Sequence, residues 1–303
     1  MKILDFFFAS RPLLHLPIWS VYLVALHFHH ELSGEGFGWT DLVIMAGISL
    51  LFSGAAYLNQ VFDFESDRIN NKLGFLQQGF ISQSQMLAAF VVVSLPPMAV
   101  APMFSMATLF IFAQFLLLAY VYSAPPFRLK DRPILGLLAN SWAHGFLVAI
   151  AVMPDITIHN AGLLGWDSPL YFFLTVAAVH TLTTIPDREG DKATGKKTIA
   201  VLLGRGWSLV VALVFVGLSV WVAWNSGFAP LVYLSLASVF LILAAMIIRV
   251  DATVLFAAKA PILALTFIAG YFYPLYFVFV VALLLGCRIY YLKRFDMIYP
   301  KLA

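Results

Sequence analysis

A single cysteine, Cys287, stands in 303 residues. No internal disulfide can form, no Cys-x-x-Cys metal site exists, and Cys287 reads as a small buried hydrophobe. Charge is scarce too: Asp, Glu, Lys and Arg make up 11% of the chain, against about 25% in soluble domains. Hydrophobic residues reach 62%, and mean hydropathy is +0.93. No polar stretch is long enough for a soluble domain, so residues 1–303 read as one membrane domain. The first apolar run is followed by HHELSGEG, His29 to Gly36, with no small-residue cleavage site. It reads as a retained span rather than a cleaved signal peptide.

What the chain does have is long apolar runs. A spanning helix needs ~20 such residues. Candidates lie at 12–30, 39–62, 83–102, 105–123, 133–153, 168–186, 207–225, 229–248, 253–272 and 274–292. They predict an all-α polytopic membrane bundle of ten helices, or nine if the last two form one broken element at Tyr273-Pro274. Pro96-Pro97 is expected to bend the third.

Basic residues set the orientation. With ten spans and the N-terminus inside, the inside segments hold Lys2 and Arg11; Arg68 and Lys72; and Arg128, Lys130 and Arg132. They also hold Arg188, Lys192, Lys196, Lys197 and Arg205; Arg249 and Lys259; and Arg288, Lys293, Arg294 and Lys301. Together these are all 18 Lys and Arg of the chain. The outside loops hold Glu31, Glu35, Asp155 and Asp167 and no base. Nine spans would leave the basic tail outside. Positive-inside reasoning therefore favours ten, with the ends of helices 2 and 6 in the cytoplasm.

Those two ends carry acids at matched spacing: NQVFDFESD, Asn59 to Asp67, and PDREGD with Asp187 and Asp191. They superpose on their acids and lie four helices apart. That suggests two four-helix repeats, helices 1–4 and 5–8. Residues 59, 63 and 67 share one helical ridge, with its ends ~12 Å apart on a straight helix. Spread that far, they are a poor cage for one small cation. They suit a row of oxygen ligands sharing one or two Mg2+ with a substrate. No Cys or His is interleaved, which favours hard cations over Zn2+.

Bases crowd the same side. Segments 68–72, 128–132 and 188–205 carry ten Lys and Arg against seven acids counted from Asp63. Arg68, Lys72, Arg128, Lys130 and Lys192 lie nearest the rows. This mixture fits a diphosphate, with metal on some oxygens and bases on others. One charge cluster at a helix end is ordinarily a solvated loop or an orientation anchor. Arg132, Arg205, Arg249, Lys259 and the C-terminal bases are read that way, and Glu65 and Glu189 fall between the ligand positions. Two matched rows are not explained so simply. Asn140 and His144, one turn apart in helix 5, and His180 in helix 6 are polar residues within spans. Their ordinary role is interhelical hydrogen bonding; contact to an acceptor is the alternative.

Four pieces together resemble the UbiA superfamily of intramembrane prenyltransferases. NQVFDFESD resembles its first Asp-rich motif, NxxxDxxxD. IPDREGDKATGKKTIAVLLG resembles its second, DxxxD with a G-x-x-T-x-A-x-x-x-G continuation. YSAPPFRLK resembles its basic segment after helix 4, and Arg11-Pro12 the arginine at the start of helix 1. They span residues 11 to 204 in the family's order. The resemblance implies a helical bundle around a central cavity, open sideways to lipid. It implies a cytoplasmic cap from segments about 63–82, 123–132 and 187–206. It also implies Mg2+-dependent transfer of an isoprenyl group from its diphosphate to a lipophilic acceptor. Asn59, Asp63, Asp67, Asp187 and Asp191 match the metal-diphosphate residues, the four aspartates being the catalytic candidates. Arg68, Lys72, Arg128, Lys130 and Lys192 are the implied partners of the phosphate charge, with Asn59.

There is one departure. Many members have RPLxxGxIS after the first motif; here Gly74 to Ser82 reads GFLQQGFIS, without the Arg-Pro. Family members usually have nine spans. YSAPP resembles chlorophyll-synthase and tocopherol-type relatives, and GKKTIAVLLG menaquinone-type ones. An aromatic or quinone-precursor acceptor is expected, with an archaeal-type glycerol ether as the alternative. A cation-coupled transporter is the rival from another class, since intramembrane acids and repeated halves suit one. Against it, no acid sits at mid-span. No nucleic-acid partner is expected.

Overall fold

A computed structural model describes residues 2–69, 74–153 and 166–300. A short helix, α1 (Lys2–Ala9), precedes a turn at Arg11 and α2 (His15–Ser33). Then follow α3 (Trp39–Phe62), the short α4 (Phe64–Ile69), α5 (Gln83–Val100) and α6 (Met106–Ser123). α7 (Pro133–Ser141) continues through a π turn, Trp142–Leu147, into α8 (Val148–Ile150). The second half holds α9 (Asp167–Thr183), the short α10 (Arg188–Ala193), α11 (Ile199–Ser226), α12 (Ala229–Ile248), α13 (Asp251–Phe272) and α14 (Pro274–Phe295).

Helices therefore stand at all ten predicted positions. Eight of those described are long and apolar enough to cross a membrane. The protein is an all-α, multi-pass membrane bundle. The two that fall short are α2 and α9. α2 is diluted by His27, His29, His30 and Glu31, and α9 has 17 residues. Tyr273 separates two helices of 22 residues each, the second opening at Pro274. The third predicted span runs through Pro96 and Pro97 and tightens into a 3-10 turn at Ala101–Met103.

Local sequence explains several ends. Ser82 caps α5, its hydroxyl accepting from the Gln85 N–H while the Gln85 side chain accepts from the Ser82 N–H. Ser105 caps α6 through the Thr108 N–H. Gly204 breaks α11 with a φ of 75° that most side chains resist, so Ile199–Leu203 form a separate first turn.

Small residues let the helices close up, as lipid-embedded packing requires. A Cβ at Gly47 would lie 2.7 Å from the Phe112 ring, and one at Gly145 would strike the Phe172 carbonyl oxygen. α3 packs chiefly on α5, and α9 on α11. The largest apolar core joins α2, α3 and α6 to α9 and the later helices.

A second packing centre underpins the polar end. Buried Asp5 receives Arg294 at 3.0 and 3.1 Å, and the Tyr290 hydroxyl as well. The Arg294 guanidinium lies 3.6 Å over the Phe80 ring. Tyr57 donates to the Phe6 carbonyl and Gln60 to the Ala9 carbonyl, both at 2.8 Å. These bonds hold the last turns of α3, and the loop after α4, against α1 and α14.

Candidate active site

α3 ends at Asp63, yet the ladder continues. The Asp63 N–H donates to the Asn59 carbonyl at 2.9 Å and the Asp67 N–H to the Asp63 carbonyl at 2.8 Å. The predicted ridge of 59, 63 and 67 thus survives the change from α3 to α4. Its first two members face inward. Lys130 Nζ donates to Asp63 Oδ1 at 2.6 Å and to Asn59 Oδ1 at 2.9 Å. Ser123 Oγ donates to Asn59 Oδ1 at 3.3 Å. Arg128 Nη2 stands 3.7 Å from Asp63 and its Nε donates to Asp131 at 2.7 Å.

These bases arrive from the turn between α6 and α7. Arg128 starts it with a φ of 38°, a left-handed conformation costly outside glycine. Such strain persists where surrounding contacts over-determine it, and here the contacts are to Asp63 and Asp131. Lys130 is only 9% exposed. Burial pushes its ammonium below the usual lysine range, with the bond to Asp63 opposing that shift.

An amide oxygen and a carboxylate oxygen one turn apart therefore converge on one positive point. That donor set fits a hard divalent cation. Among the described residues no three His, Cys, Asp or Glu side chains converge to hold a metal unaided. The arrangement suits a cation completed by substrate oxygens, which is how Mg2+ is usually held.

The second row is set differently. Asp187 precedes α10 and is exposed, and Asp191 is partly buried one turn later, its N–H donating to the Asp187 carbonyl at 2.8 Å. Lys192 is exposed in the last turn. Arg68 forms an exposed pair with Glu65 at 2.8 Å rather than reaching Asp63. Asp67 is partly buried. Lys72 lies outside the described residues.

Behind Asn59 lies a cavity of about 230 Å³ between α2, α3, α6 and α7. Its walls are mainly apolar, with Phe52 and Phe115 among them. Its polar lining is Ser10, Arg11, His15, Asn59, Tyr122, Ser123, Asn140 and His144. A second, more apolar cavity of about 260 Å³ lies between α2, α9, α11, α12 and α13, and shares Leu14, Ile18, Asn140 and His144 with the first. Neither Asp187 nor Asp191 lines either cavity.

Sequence reading passes over His15, Tyr122 and Ser123. A signal for each was there: His15 lies one turn after Arg11, and Tyr122-Ser123 opens the YSAPPFRLK segment.

The profile of the UbiA prenyltransferase family matches residues 15–252. A probable homogentisate phytyltransferase of rice is 28% identical over 55% of this chain and 46% of its own. A lycopene elongase/hydratase of Halobacterium salinarum is 29% identical over 65% and 70%. A digeranylgeranylglyceryl phosphate synthase of Thermococcus sibiricus is 28% identical over 58% and 61%. The match thus spans less than two thirds of the rice and Thermococcus relatives. A solved UbiA homolog from Archaeoglobus fulgidus, bound to DMAPP and Mg2+, superposes with a TM-score of 0.65 over 88% of this chain and 98% of its own, at 17% identity.

Proposed function

The chain belongs to the UbiA prenyltransferase family, and from that premise we propose that it transfers an isoprenyl group from an isoprenyl diphosphate to a lipophilic acceptor, with Mg2+. The observation that carries this reading is the convergence of Asn59 and Asp63 on the Lys130 ammonium at the polar end of a mainly apolar cavity. The diphosphate sits at that end and the isoprenyl chain in the cavity. Bound Mg2+ would supply Lewis-acid charge to the leaving diphosphate oxygens. Asn59, Asp63, Asp67, Asp187 and Asp191 are the residues to hold it.

The chain's own groups do the rest. Lys130 and Arg128 offset the charge that develops on the leaving group, a preorganised electrostatic contribution. Phe52 and Phe115, with ring centroids 5.3 Å apart, line the cavity and supply aromatic surface to a developing allyl cation. Apolar walls keep water from that cation. In this reading all ten helices cross the membrane, the acid rows lie on the cytoplasmic side, and the lateral approach is from lipid.

We favour an aromatic or quinone-precursor acceptor, on the YSAPP segment and the likeness to the rice protein. A glycerol-ether acceptor is the second reading, supported by the Thermococcus relative. A cation-coupled transporter fits less well, because the inward acids stand at a helix end beside bases. The test is binding of geranyl diphosphate to the purified chain in detergent. Binding is expected to need a divalent cation and to fall at least about 10-fold in folded Asp63→Ala and Asp187→Ala variants. Binding that ignores both the cation and the aspartates would sink the proposal. Product masses from a panel of lipid-soluble acceptors then choose between the acceptor classes.

A further inference from the structure

The neck between the two cavities carries a group that the diphosphate site does not use. His144 belongs to the π turn Trp142–Leu147. Such a turn inserts an extra residue, is rare, and is frequent at functional sites. Gly145 lets this turn press on α9, since any side chain there would strike the Phe172 carbonyl oxygen. His144 is left at the neck, lining both cavities, with its ring centroid 4.7 Å from that of Phe52.

The ring's protonation follows from its partner. His144 Nδ1 lies 3.1 Å from the Asn140 carbonyl oxygen. A carbonyl only accepts, so Nδ1 carries the proton, and the lone pair of the neutral ring is on Nε2. That is the ring's one hydrogen bond found among the described residues. Asn140 and Tyr122 line the first cavity beside it.

Resting on the prenyl-transfer reading, we propose that His144 is a catalytic base, and that the acceptor is a lipid-soluble phenol or hydroquinone whose O–H meets Nε2 at the neck. The allylic C–O bond of the donor breaks, and its electron pair leaves with the diphosphate. The acceptor's oxygen or ring carbon forms the new bond to that carbon. The acceptor's proton passes to Nε2, and the imidazolium returns it to the departing diphosphate. The apolar body of the acceptor occupies the second cavity, whose lining includes Val179, Ile242 and Leu265.

Two measurements on the full chain in detergent test this. In nitrogen-15 histidine-labelled protein, with His144→Gln identifying the signal, Nε2 is expected to be the unprotonated nitrogen and to shift when 2-naphthol is added. A protonated Nε2, or no response to 2-naphthol, overturns the proposal. In single turnover with Mg2+, geranyl diphosphate and either homogentisate or 1,4-dihydroxynaphthalene, His144→Gln is expected to bind the donor within about two-fold of wild type. Its prenylated product should form about 100-fold more slowly. An unchanged rate of product formation, or a wild type that binds the donor yet prenylates neither phenol, also overturns it. A wild type that shows no Mg2+-dependent donor binding sinks the prenyl-transfer reading instead, and the nitrogen-15 result still judges His144.

Discussion

The two acid rows look alike in sequence and are built differently. Asn59 and Asp63 end a 24-residue helix and are both gripped by Lys130, and Asn59, bonded also by Ser123, lines a cavity. Asp187 is exposed just ahead of a six-residue helix, and Asp191 is partly buried one turn later, beside an exposed Lys192. The first row is held in place by partners that also depend on it. In the second, Asp187 stands exposed ahead of its helix. Equal spacing therefore does not mean equal coupling between function and fold, and mutation separates the two.

The largest effect is expected from Asp63→Ala. It removes a proposed ligand and leaves the buried Lys130 ammonium without its short partner, a change worth about 3 kcal/mol of stability when a buried pair is broken. Geranyl diphosphate binding, read by calorimetry, should fall at least about 100-fold. The thermal midpoint should fall with it. Asp63→Asn keeps an oxygen for Lys130 and is expected to recover part of the stability while binding stays poor. Stability unchanged in Asp63→Ala would show that Lys130 is not anchored by this row.

Asp187→Ala comes next and should break the parallel. Donor binding is expected to drop about 10- to 100-fold, while stability stays within about 0.5 kcal/mol, as for an exposed site. If both rows lowered the thermal midpoint equally, the contrast drawn from burial would be wrong. Lysines repeat the comparison one step down. Lys130→Met strips Asp63 of its 2.6 Å donor and is expected to cost about 2 kcal/mol, the scale of a hydrogen bond to a charged group. Lys192→Met, at an exposed position, should change stability by less than about 0.5 kcal/mol. Chemical denaturation of the five variants side by side measures these stabilities, and calorimetry their donor binding.

Much of the contrast was out of reach of sequence alone, for physical reasons. A ridge of 59, 63 and 67 follows from helical period, because such a pattern is local, and apolar length marks the helix positions, eight of which among the described residues are long and apolar enough to span. Lys130 belongs to the site only because the chain returns 67 residues later. Charge counting brought it near the row, and only coordinates put its ammonium on two oxygens. The burial difference between the rows was hidden, since DFESD and DREGD carry their acids at the same spacing. The π turn around His144 was hidden too, because an extra residue in a helix leaves no mark on an apolar run. Its trace was Gly145, a glycine inside a span whose reason is the backbone of α9.

Arg68 carries the smallest expected effect and sharpens the comparison from the other side. It adjoins Asp67 in sequence and is one of the bases expected to meet phosphate. Its guanidinium instead bonds Glu65, with both side chains 66% exposed. An exposed pair three residues apart on a six-residue helix contributes about 0–1 kcal/mol, screened by salt. Arg68→Ala should therefore leave stability within about 0.5 kcal/mol and donor binding within about three-fold, and the binding loss should shrink further as salt is raised. A loss as large as that of Lys130→Met would mean that Arg68 leaves Glu65 for the substrate. The first row would then gather its phosphate contacts on binding, rather than hold them ready in the turn between α6 and α7.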